Sequence, residues 1–331
     1  MKAFITGSTG FLGRHIVNHL VSSGWDVVCL VRNPNKIKYL PKTVKIAEGD
    51  ITQKDSLKKE YFADVDVVFH LAALLYSKSK KNYQLVNYRG TRNLVEVILS
   101  ANENIKRFVF TSSLAAHGPT KLNGDNIIKE DDPLNPVTSY GESKKMAEEF
   151  LQSIKNILPV VIIRPTIIYG PFDFSLLNLF RFSFKYGFPI IPETILSVVY
   201  VYDVVKLHLL SATDNKIESG ETFLISDGNK YTFADIHSII NSVSIEMFGK
   251  KIRKINIPNY TLPIFEKLLY PLQFVLPDSI PLSPQRIKEI KAKNWFCSYQ
   301  KAKKLLGFEP SFTAYEGLKE TFFWYSSENL F

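Results

Sequence analysis

The sequence predicts an α/β fold built on a doubly wound parallel sheet, with a smaller lobe formed mostly by the C-terminal part of the chain. Three observations predict it. Short apolar runs alternate with helical patterns through the first half of the chain, a glycine-rich turn follows the first run, and polar residues follow several later runs. Strands that alternate with helices pair in parallel, and ligands bind beyond the carboxyl ends of such strands. We therefore expect a ligand site along one edge of the sheet.

The first strand is predicted at residues 2–6, and a glycine turn and an amphipathic helix follow it. Gly7 permits a tight turn, Gly10 allows backbone N–H groups to approach a pyrophosphate, and Gly13 allows close packing of helix on strand. The alternative is that these glycines only form a turn. The strand, turn and helix context favours dinucleotide binding. The predicted cofactor turn comprises Gly7, Thr9, Gly10, Phe11, Leu12 and Gly13.

The second strand, predicted at 27–31, ends at Arg32, and no Asp or Glu occurs between residues 27 and 40. An acidic residue at this position binds the ribose 2′-hydroxyl of NAD, whereas arginine accommodates the 2′-phosphate of NADP. We therefore predict NADP(H) as the preferred cofactor, with NAD(H) as the alternative. Arg32 could instead be a solvated charge at a strand end.

Further strands are predicted at 44–47, 65–71 and 107–111, with a long helix at 82–100 that carries Asn87. Asp50 either accepts a hydrogen bond from the adenine amine or caps the next helix, and the two roles are equally supported. Residues at these strand ends should contact the cofactor: Asp50, Ile51, Leu71, Ala72, Ala73 and Thr111.

Two serines, Ser112 and Ser113, follow the fifth strand, and Tyr140 and Lys144 open a later helix. A tyrosine and a lysine four residues apart share one helix face. A nearby ammonium favours the phenolate, so Tyr140 would exchange protons near neutral pH. The alternative is a solvated helix face. The glycine turn and the strand-end serines favour a catalytic pair.

The glycine turn, the strand-end serines and the run Tyr140-Gly141-Glu142-Ser143-Lys144 together resemble the short-chain dehydrogenase/reductase superfamily, in its extended branch. The resemblance implies a Rossmann domain in which Tyr140 is the catalytic acid/base. It also implies that Lys144 lowers the pKa of Tyr140 and binds the nicotinamide ribose, while Ser113 steadies the substrate oxygen. Asn87 matches an asparagine that supports the active-site polar network.

The run from Arg164 to Pro171 is similar to the loop that flanks the cofactor in the same branch, and it implies that Pro165 and Ile167 line the nicotinamide. Sugar-nucleotide enzymes of this branch usually carry an asparagine in the loop, which this chain lacks. The run looks more like dihydroflavonol reductases and 3β-hydroxysteroid dehydrogenases. The resemblance therefore favours carbonyl reduction.

The predicted NADP-binding domain spans residues 1–171, with 198–228 returning to it, and the substrate-binding lobe spans 172–197 and 229–331. Asp203 is expected to cap the helix that returns to the sheet. Residues 255–282 are apolar but interrupted by prolines, which forbid a continuous membrane-spanning helix. This segment packs in the lobe, covers an apolar pocket or makes a peripheral membrane contact. Lobe packing is the favoured interpretation.

The bulk composition excludes several classes of protein. Hydrophobic residues make up 45% and charged residues 22% of the 331 residues, which is typical of a globular protein. The formal charge of +9 comes from scattered lysines without a nucleic-acid motif, so no nucleic-acid partner is expected. No apolar run reaches about 18 residues, and no signal-peptide pattern opens the chain, so we expect a cytoplasmic protein. Cys29 and Cys297 lack metal-site spacing, and no metal is predicted.

Together these features predict an NADP(H)-dependent oxidoreductase that exchanges a hydride with a ketone, an aldehyde or a secondary alcohol. The expected partner is a small, apolar carbonyl or alcohol, and a homodimer is an open alternative to a monomer. A nucleotide-sugar epimerase or dehydratase with tightly held NAD(P) is the second hypothesis. A non-catalytic NADP(H) sensor is the third, but it has no need of an acid/base pair.

Overall fold

A computed structural model describes residues 1–120, 127–272 and 284–330. The strands are β1 Lys2–Thr6, β2 Asp26–Val31, β3 Lys45–Glu48, β4 Val67–His70, β5 Arg107–Thr111, β6 Val160–Pro165, β7 Ile167–Tyr169, β8 Phe188–Ile190, β9 Ile195–Leu196, β10 Val198–Tyr200, β11 Glu221–Ile225, β12 Tyr231–Thr232 and β13 Lys254–Asn256. The helices are α1 Phe11–Ser22, α2 Lys80–Tyr83, α3 Gly90–Ala101, α4 Leu114–His117, α5 Ser139–Ser153, α6 Phe174–Lys185, α7 Val201–Thr213, α8 Phe233–Phe248, α9 Leu262–Leu272, α10 Pro284–Lys291, α11 Gln300–Leu306 and α12 Ala314–Ser327. Short 3₁₀ turns occur at Pro34–Tyr39, Lys54–Ser56, Lys59–Tyr61 and Asn259–Thr261.

The central sheet has seven parallel strands in the order β11-β6-β5-β4-β1-β2-β3. The chain builds outward from β1 to β2 and β3, and then returns to add β4, β5, β6 and β11 on the other side. The strand order therefore reverses between β1 and β4, which is where such sheets bind their ligands. The predicted doubly wound parallel sheet is confirmed.

Helices cover both faces of the sheet, because successive side chains of its buried strands point to opposite faces. Ile5 of β1 packs in the cluster that includes residues of α1 and α7, while its neighbour Phe4 packs in the cluster of α3 and α5. Both side chains are fully buried. The sheet is thus a rigid platform, and its carboxyl edge holds the side chains that follow each strand.

The lobe is formed by short strand pairs and by α6 and α8 to α12. Phe180 of α6 and Phe322 of α12, whose ring centroids are 4.3 Å apart, belong to the same cluster as Ile16 of α1. The lobe and the sheet therefore share one continuous core. The division into two domains at residue 171 stays a prediction.

Four predicted features differ in detail. The helix predicted at 82–100 consists of α2, a π-helical stretch at Gln84–Arg89, and α3. The strands predicted at 44–47 and 65–71 occur at Lys45–Glu48 and Val67–His70. Asp203 is not the cap of α7, because that position is Tyr200; its carboxylate accepts hydrogen bonds from Ser311 and Phe312.

The apolar segment predicted at 255–282 is described only up to residue 272, so its remainder lies outside the described residues. Its described part includes α9, on which Ile264, Phe265 and Leu268 are exposed. Among the described helices, none combines the length and the hydropathy needed to cross a bilayer. Cys29 and Cys297 are both buried and free, as expected for structural thiols.

Candidate active site

The turn after β1 has the geometry of a dinucleotide cradle. Gly7 has φ +73°, and a Cβ there would meet the backbone nitrogen of Ala72 at 2.7 Å. A Cβ on Gly13 would lie 2.1 Å from the carbonyl oxygen of Gly7, so only glycine lets α1 pack this closely on the turn. Gly10 is exposed at the helix N-cap, and the first turn of α1 carries no acidic residue. These residues fit a cofactor pyrophosphate at the positive end of the helix.

The neighbouring residues of the turn have different surroundings. Leu12 is 8% exposed and packs in the core, so only its backbone can meet a ligand. The Phe11 ring packs against His15 with centroids 5.8 Å apart. Thr9 is partly exposed beside Gly10. The backbone of this turn, more than its side chains, forms the candidate anion site.

The end of β2 presents Arg32 to solvent, since 71% of its side chain is exposed. Its guanidinium lies 3.7 Å from the Asp50 carboxylate. The other oxygen of Asp50 accepts hydrogen bonds from the backbone and hydroxyl of Thr52, both at 2.8 Å. Asp50 does not cap the next helical turn, Lys54–Ser56, whose N-cap is Gln53, and its contact with the adenine stays a prediction. The Ile51 side chain is buried, so its backbone alone is open to a cofactor.

A buried polar network organises the end of β4. Thr6 Oγ1 and His70 Nδ1 are 2.7 Å apart, and His70 Nε2 lies 2.9 Å from Thr91 Oγ1. The backbone N–H of Ala72 donates to Thr6 Oγ1 at 3.1 Å, while Leu71 and Ala73 stay partly exposed. Burial, with a smaller contribution from Lys144, lowers the pKa of His70 to about 3. The neutral imidazole therefore fixes the path of residues 71–73 beside the glycine turn.

Asn87 links this strand end to the helix that carries Tyr140. It lies in the π-helical stretch and is 1% exposed. Its side-chain Oδ1 accepts a hydrogen bond from the Leu74 backbone N–H at 2.7 Å, and its side-chain Nδ2 donates to Ser143 Oγ at 2.9 Å. Asn87 therefore joins the loop after β4 to α5, and its predicted role in the active-site polar network stays a prediction.

Ser113 and Tyr140 come together beyond the end of β5, although 27 positions of sequence separate them. Ser113 caps α4 and accepts from the Ala115 backbone at 3.1 Å. The Ser113 hydroxyl lies close enough to the Tyr140 phenol to lower its pKa, against the larger effect of burial. Neighbouring strands are about 4.8 Å apart, and β5 lies two strands from β1, so the ends of these two strands are roughly 10 Å apart. This distance suits a dinucleotide that extends from the turn to the hydroxyl pair.

Lys144 lies beneath this pair and is 1% exposed. Its ammonium donates to the Thr111 carbonyl at 2.7 Å and sits 4.6 Å from the centroid of the Phe110 ring. Burial lowers the pKa of Lys144 to about 7, although the carboxylate of Glu148 acts in the opposite direction. The side chain of Thr111 pairs with His208 Nε2 at 2.7 Å. Thr111 therefore contributes its carbonyl group, and not its hydroxyl, to the position of Lys144.

The pKa of Tyr140 is shifted in the direction opposite to the one that the sequence predicts. Burial raises this pKa, the neighbouring Ser113 hydroxyl acts in the opposite direction, and the negative charge of Glu289 adds a smaller increase. The predicted lowering assumes that the Lys144 ammonium approaches the phenol. Here the ammonium is bound to the Thr111 carbonyl. Tyr140 is consequently protonated at neutral pH, the state that donates a proton.

Sequence reasoning missed a buried ion pair behind the serines. Arg164 of β6 and Glu148 of α5 are 6% and 2% exposed, and their charged groups are 2.7 Å apart. Ser112 donates a hydrogen bond to the same Glu148 carboxylate. The pair therefore fixes the segment that leads into Ser113. The spacing of Glu148 four residues after Lys144 was the one available sequence signal.

The lobe also contributes charged groups that the sequence does not predict at the site. Arg286 and Glu289 of α10 both influence Tyr140 electrostatically, and Arg286 hydrogen-bonds to the Tyr76 hydroxyl. Burial raises the pKa of Glu289. The surroundings of Tyr140 thus include charged groups, whereas the sequence predicts an apolar substrate.

Pro165 and Ile167, at the end of β6 and the start of β7, follow the strand next to β5. Pro165 is buried, and Ile167 is 48% exposed. An exposed isoleucine beside the carboxyl edge can cover one face of a planar ring. Their predicted contact with a nicotinamide stays a prediction. Among the described residues, no group of three or more His, Cys, Asp or Glu side chains could hold a metal ion.

Comparison with known proteins places this site in a family. The model of the NAD dependent epimerase/dehydratase family matches residues 3–226. UDP-glucose 4-epimerase of Vibrio cholerae is 30% identical over 96% of this chain and 93% of its own length. Sterol-4-alpha-carboxylate 3-dehydrogenase (decarboxylating) of Candida albicans is 28% identical over 99% of this chain and 98% of its own. The solved structure of Thermotoga maritima UDP-glucose 4-epimerase, with 22% identity and a TM-score of 0.79, covers 99% of this chain and 100% of that one.

The relatives therefore include enzymes named for two kinds of reaction, an epimerisation and a dehydrogenation. The family match covers the glycine turn, the strand-end serines, Tyr140 and Lys144. The chain belongs to the NAD-dependent epimerase/dehydratase family, whose members are enzymes of the extended short-chain dehydrogenase/reductase type.

Proposed function

We propose that the protein is an NADP(H)-dependent oxidoreductase that interconverts a carbonyl compound and an alcohol. The observation that carries the proposal is the proximity of Ser113 to Tyr140, on the same sheet edge as the glycine turn. A bound nicotinamide would supply the hydride chemistry, which no amino-acid side chain can perform. The residues of the chain would bind the cofactor, orient the substrate and donate a proton to the substrate oxygen.

The proton-transfer roles follow from the protonation states. Tyr140 is a neutral phenol near pH 7, so it would donate its proton to the substrate oxygen as negative charge develops there. The Ser113 hydroxyl would donate a second hydrogen bond to that oxygen. Lys144, with a pKa of about 7, would restore charge balance near Tyr140 and hold the ribose of the cofactor. A protonated tyrosine is the form that reduction of a carbonyl requires.

Replacement of Tyr140 by phenylalanine tests the role of this residue. We expect Tyr140→Phe to bind NADPH with wild-type affinity and to lose at least about a hundredfold in turnover, the typical contribution of a positioned acid. Tyr88→Phe is the matched control, because the Tyr88 ring packs on Phe150, with centroids 6.5 Å apart. Turnover of Tyr140→Phe at the wild-type rate would refute the assignment.

The proposed preference for NADP(H) depends on Arg32. Its exposed guanidinium at the end of β2 is placed to meet a 2′-phosphate. Loss of one charge-assisted contact should weaken NADPH binding at least about tenfold in Arg32→Ala and leave NADH binding little changed. Titration of the protein with both nucleotides measures the two affinities. Tighter binding of NADH by the wild-type protein would contradict the preference.

A nucleotide-sugar epimerase or dehydratase is the second candidate, favoured by the similarity to the Vibrio cholerae epimerase and by the charged residues Arg286 and Glu289 near Tyr140. Such an enzyme recycles its cofactor within each turnover. The absorbance of the purified protein discriminates the two candidates. Retained cofactor without net NADPH consumption supports the epimerase or dehydratase, and exchangeable NADPH consumed with ketones or aldehydes supports the reductase.

A further inference from the structure

Helix α10 of the lobe approaches the first turn of α5, the helix that carries Tyr140. Gln285 and Glu289 are four residues apart and therefore share one face of α10. This face meets two consecutive residues of the other helix. The backbone N–H of Ser139 donates to Gln285 Oε1 at 3.2 Å. The Thr138 side chain lies close enough to the Glu289 carboxyl to lower its pKa, against the larger effect of burial.

These contacts satisfy groups that a helix cannot satisfy by itself. The first N–H groups of an α-helix have no partner within the helix. Thr138 is the N-cap of α5 and accepts from the Gly141 backbone at 3.1 Å. Its hydroxyl leaves the N–H of Ser139, the first residue of α5, without an acceptor from the cap. Gln285, 146 positions later in the chain, is that acceptor.

Tyr140 lies between Ser139 and Gly141, whose N–H groups donate to Gln285 and Thr138, so the backbone on both sides of Tyr140 is held. Glu289 adds a negative charge at the positive end of α5, which stabilises the helix start. A second contact holds α10 against the loop after β4, because Arg286 hydrogen-bonds to the Tyr76 hydroxyl and lies 5.2 Å from its ring centroid. Helix α10 thus bridges the loop after β4 and the start of α5.

We propose that Gln285, supported by Glu289, is a positioning residue that completes the cap of α5 from the lobe and thereby holds Tyr140 against Ser113. The inference deepens the proposed function and rests on it where turnover is concerned. It assigns the lobe a direct part in the placement of the acid/base residue. The lobe would then act on the chemical step as well as on substrate binding.

Three variants of α10 test this role in the full-length protein. Gln285→Ala should lower kcat about fivefold, the fold-change that corresponds to ~1 kcal/mol for a lost cap, and leave the Kd for NADPH unchanged. Gln285→Glu should restore kcat, because a carboxylate is also an acceptor and favours the helix N-terminus. Lys288→Ala, on an exposed position of the same helix, is the matched control.

Amide hydrogen exchange gives a readout that does not depend on catalysis. Exchange at Ser139 should accelerate about fivefold or more in Gln285→Ala and return to the wild-type rate in Gln285→Glu. If Tyr140→Phe kept full turnover, the proposed function would fail, but the exchange experiment would still test the cap. Unchanged exchange in Gln285→Ala, or failure of Gln285→Glu to restore it, would overturn the inference.

Discussion

Replacement of Lys144 by methionine should stabilise the protein at neutral pH, although it removes a residue of the proposed active site. The side chain is 1% exposed, and burial lowers its pKa from 10.5 to about 7. The unfolded chain therefore binds a proton at Lys144 that the folded chain holds only half of the time at pH 7. Burial of this amine thus opposes folding.

The expected gain in stability follows from the lowered pKa of Lys144. Each pKa unit corresponds to about 1.4 kcal/mol, so the unfavourable contribution of Lys144 is roughly 4 kcal/mol at pH 7 and roughly 2 kcal/mol at pH 9. Methionine keeps most of the buried apolar stem but loses the hydrogen bond to the Thr111 carbonyl, which stabilises by about 1–2 kcal/mol. Lys144→Met should therefore be about 2–3 kcal/mol more stable than wild type at pH 7.

The pH dependence has a defined sign. Between the folded pKa of about 7 and the unfolded value of 10.5, the unfolded state binds more protons, so wild-type stability rises with pH. The variant lacks this contribution, and its advantage should shrink by about 2 kcal/mol between pH 7 and pH 9.

Urea denaturation of both cofactor-free proteins, followed by circular dichroism at pH 7 and pH 9, measures the free energies of unfolding. Lys145→Met is the matched control, because Lys145 is the adjacent residue and its side chain is 32% exposed. The same pH-dependent gain in that control would mean that net charge, and not the burial of Lys144, is the cause. A Lys144→Met protein less stable than wild type at both pH values would refute the reasoning.

Two further substitutions test the scaffold of the site. Gly13→Ala places a Cβ 2.1 Å from the Gly7 carbonyl oxygen, so we expect a loss of about 3 kcal/mol in stability and of at least about tenfold in NADPH affinity. Gly10→Ala is the control and should have a milder effect, because its Cβ would lie 3.1 Å from the same oxygen. Equal effects of the two variants in thermal melts and NADPH titrations would argue against the packing role of Gly13. Arg164→Met leaves Glu148 buried without its ionic partner, which should destabilise by about 3–5 kcal/mol in urea denaturation, and a change below ~1 kcal/mol would show that the pair does not constrain the strand end.

Local patterns were enough to predict the fold class and the order of the site residues. The alternation of strands and helices predicted the parallel sheet, and the spacing of Gly7, Gly10 and Gly13 predicted a turn whose close contacts the structure contains. The helix boundaries around Asn87 were harder to predict, because a π-helical stretch has no distinct hydrophobic period. The cofactor and substrate contacts of these residues stay predictions.

Strand period, glycine turns and helix caps depend on neighbours a few positions apart, so the amino-acid sequence was enough to predict which residues follow which strand. The environment of those residues depends on the folded chain. Burial of Lys144 against Thr111, the raised pKa of Tyr140 and the pairing of Glu148 with Arg164 depend on segments that meet through packing. The contact of Gln285 with the start of α5 spans 146 positions and has no local signature. Protonation states follow burial and nearby charge, and both are properties of the folded chain.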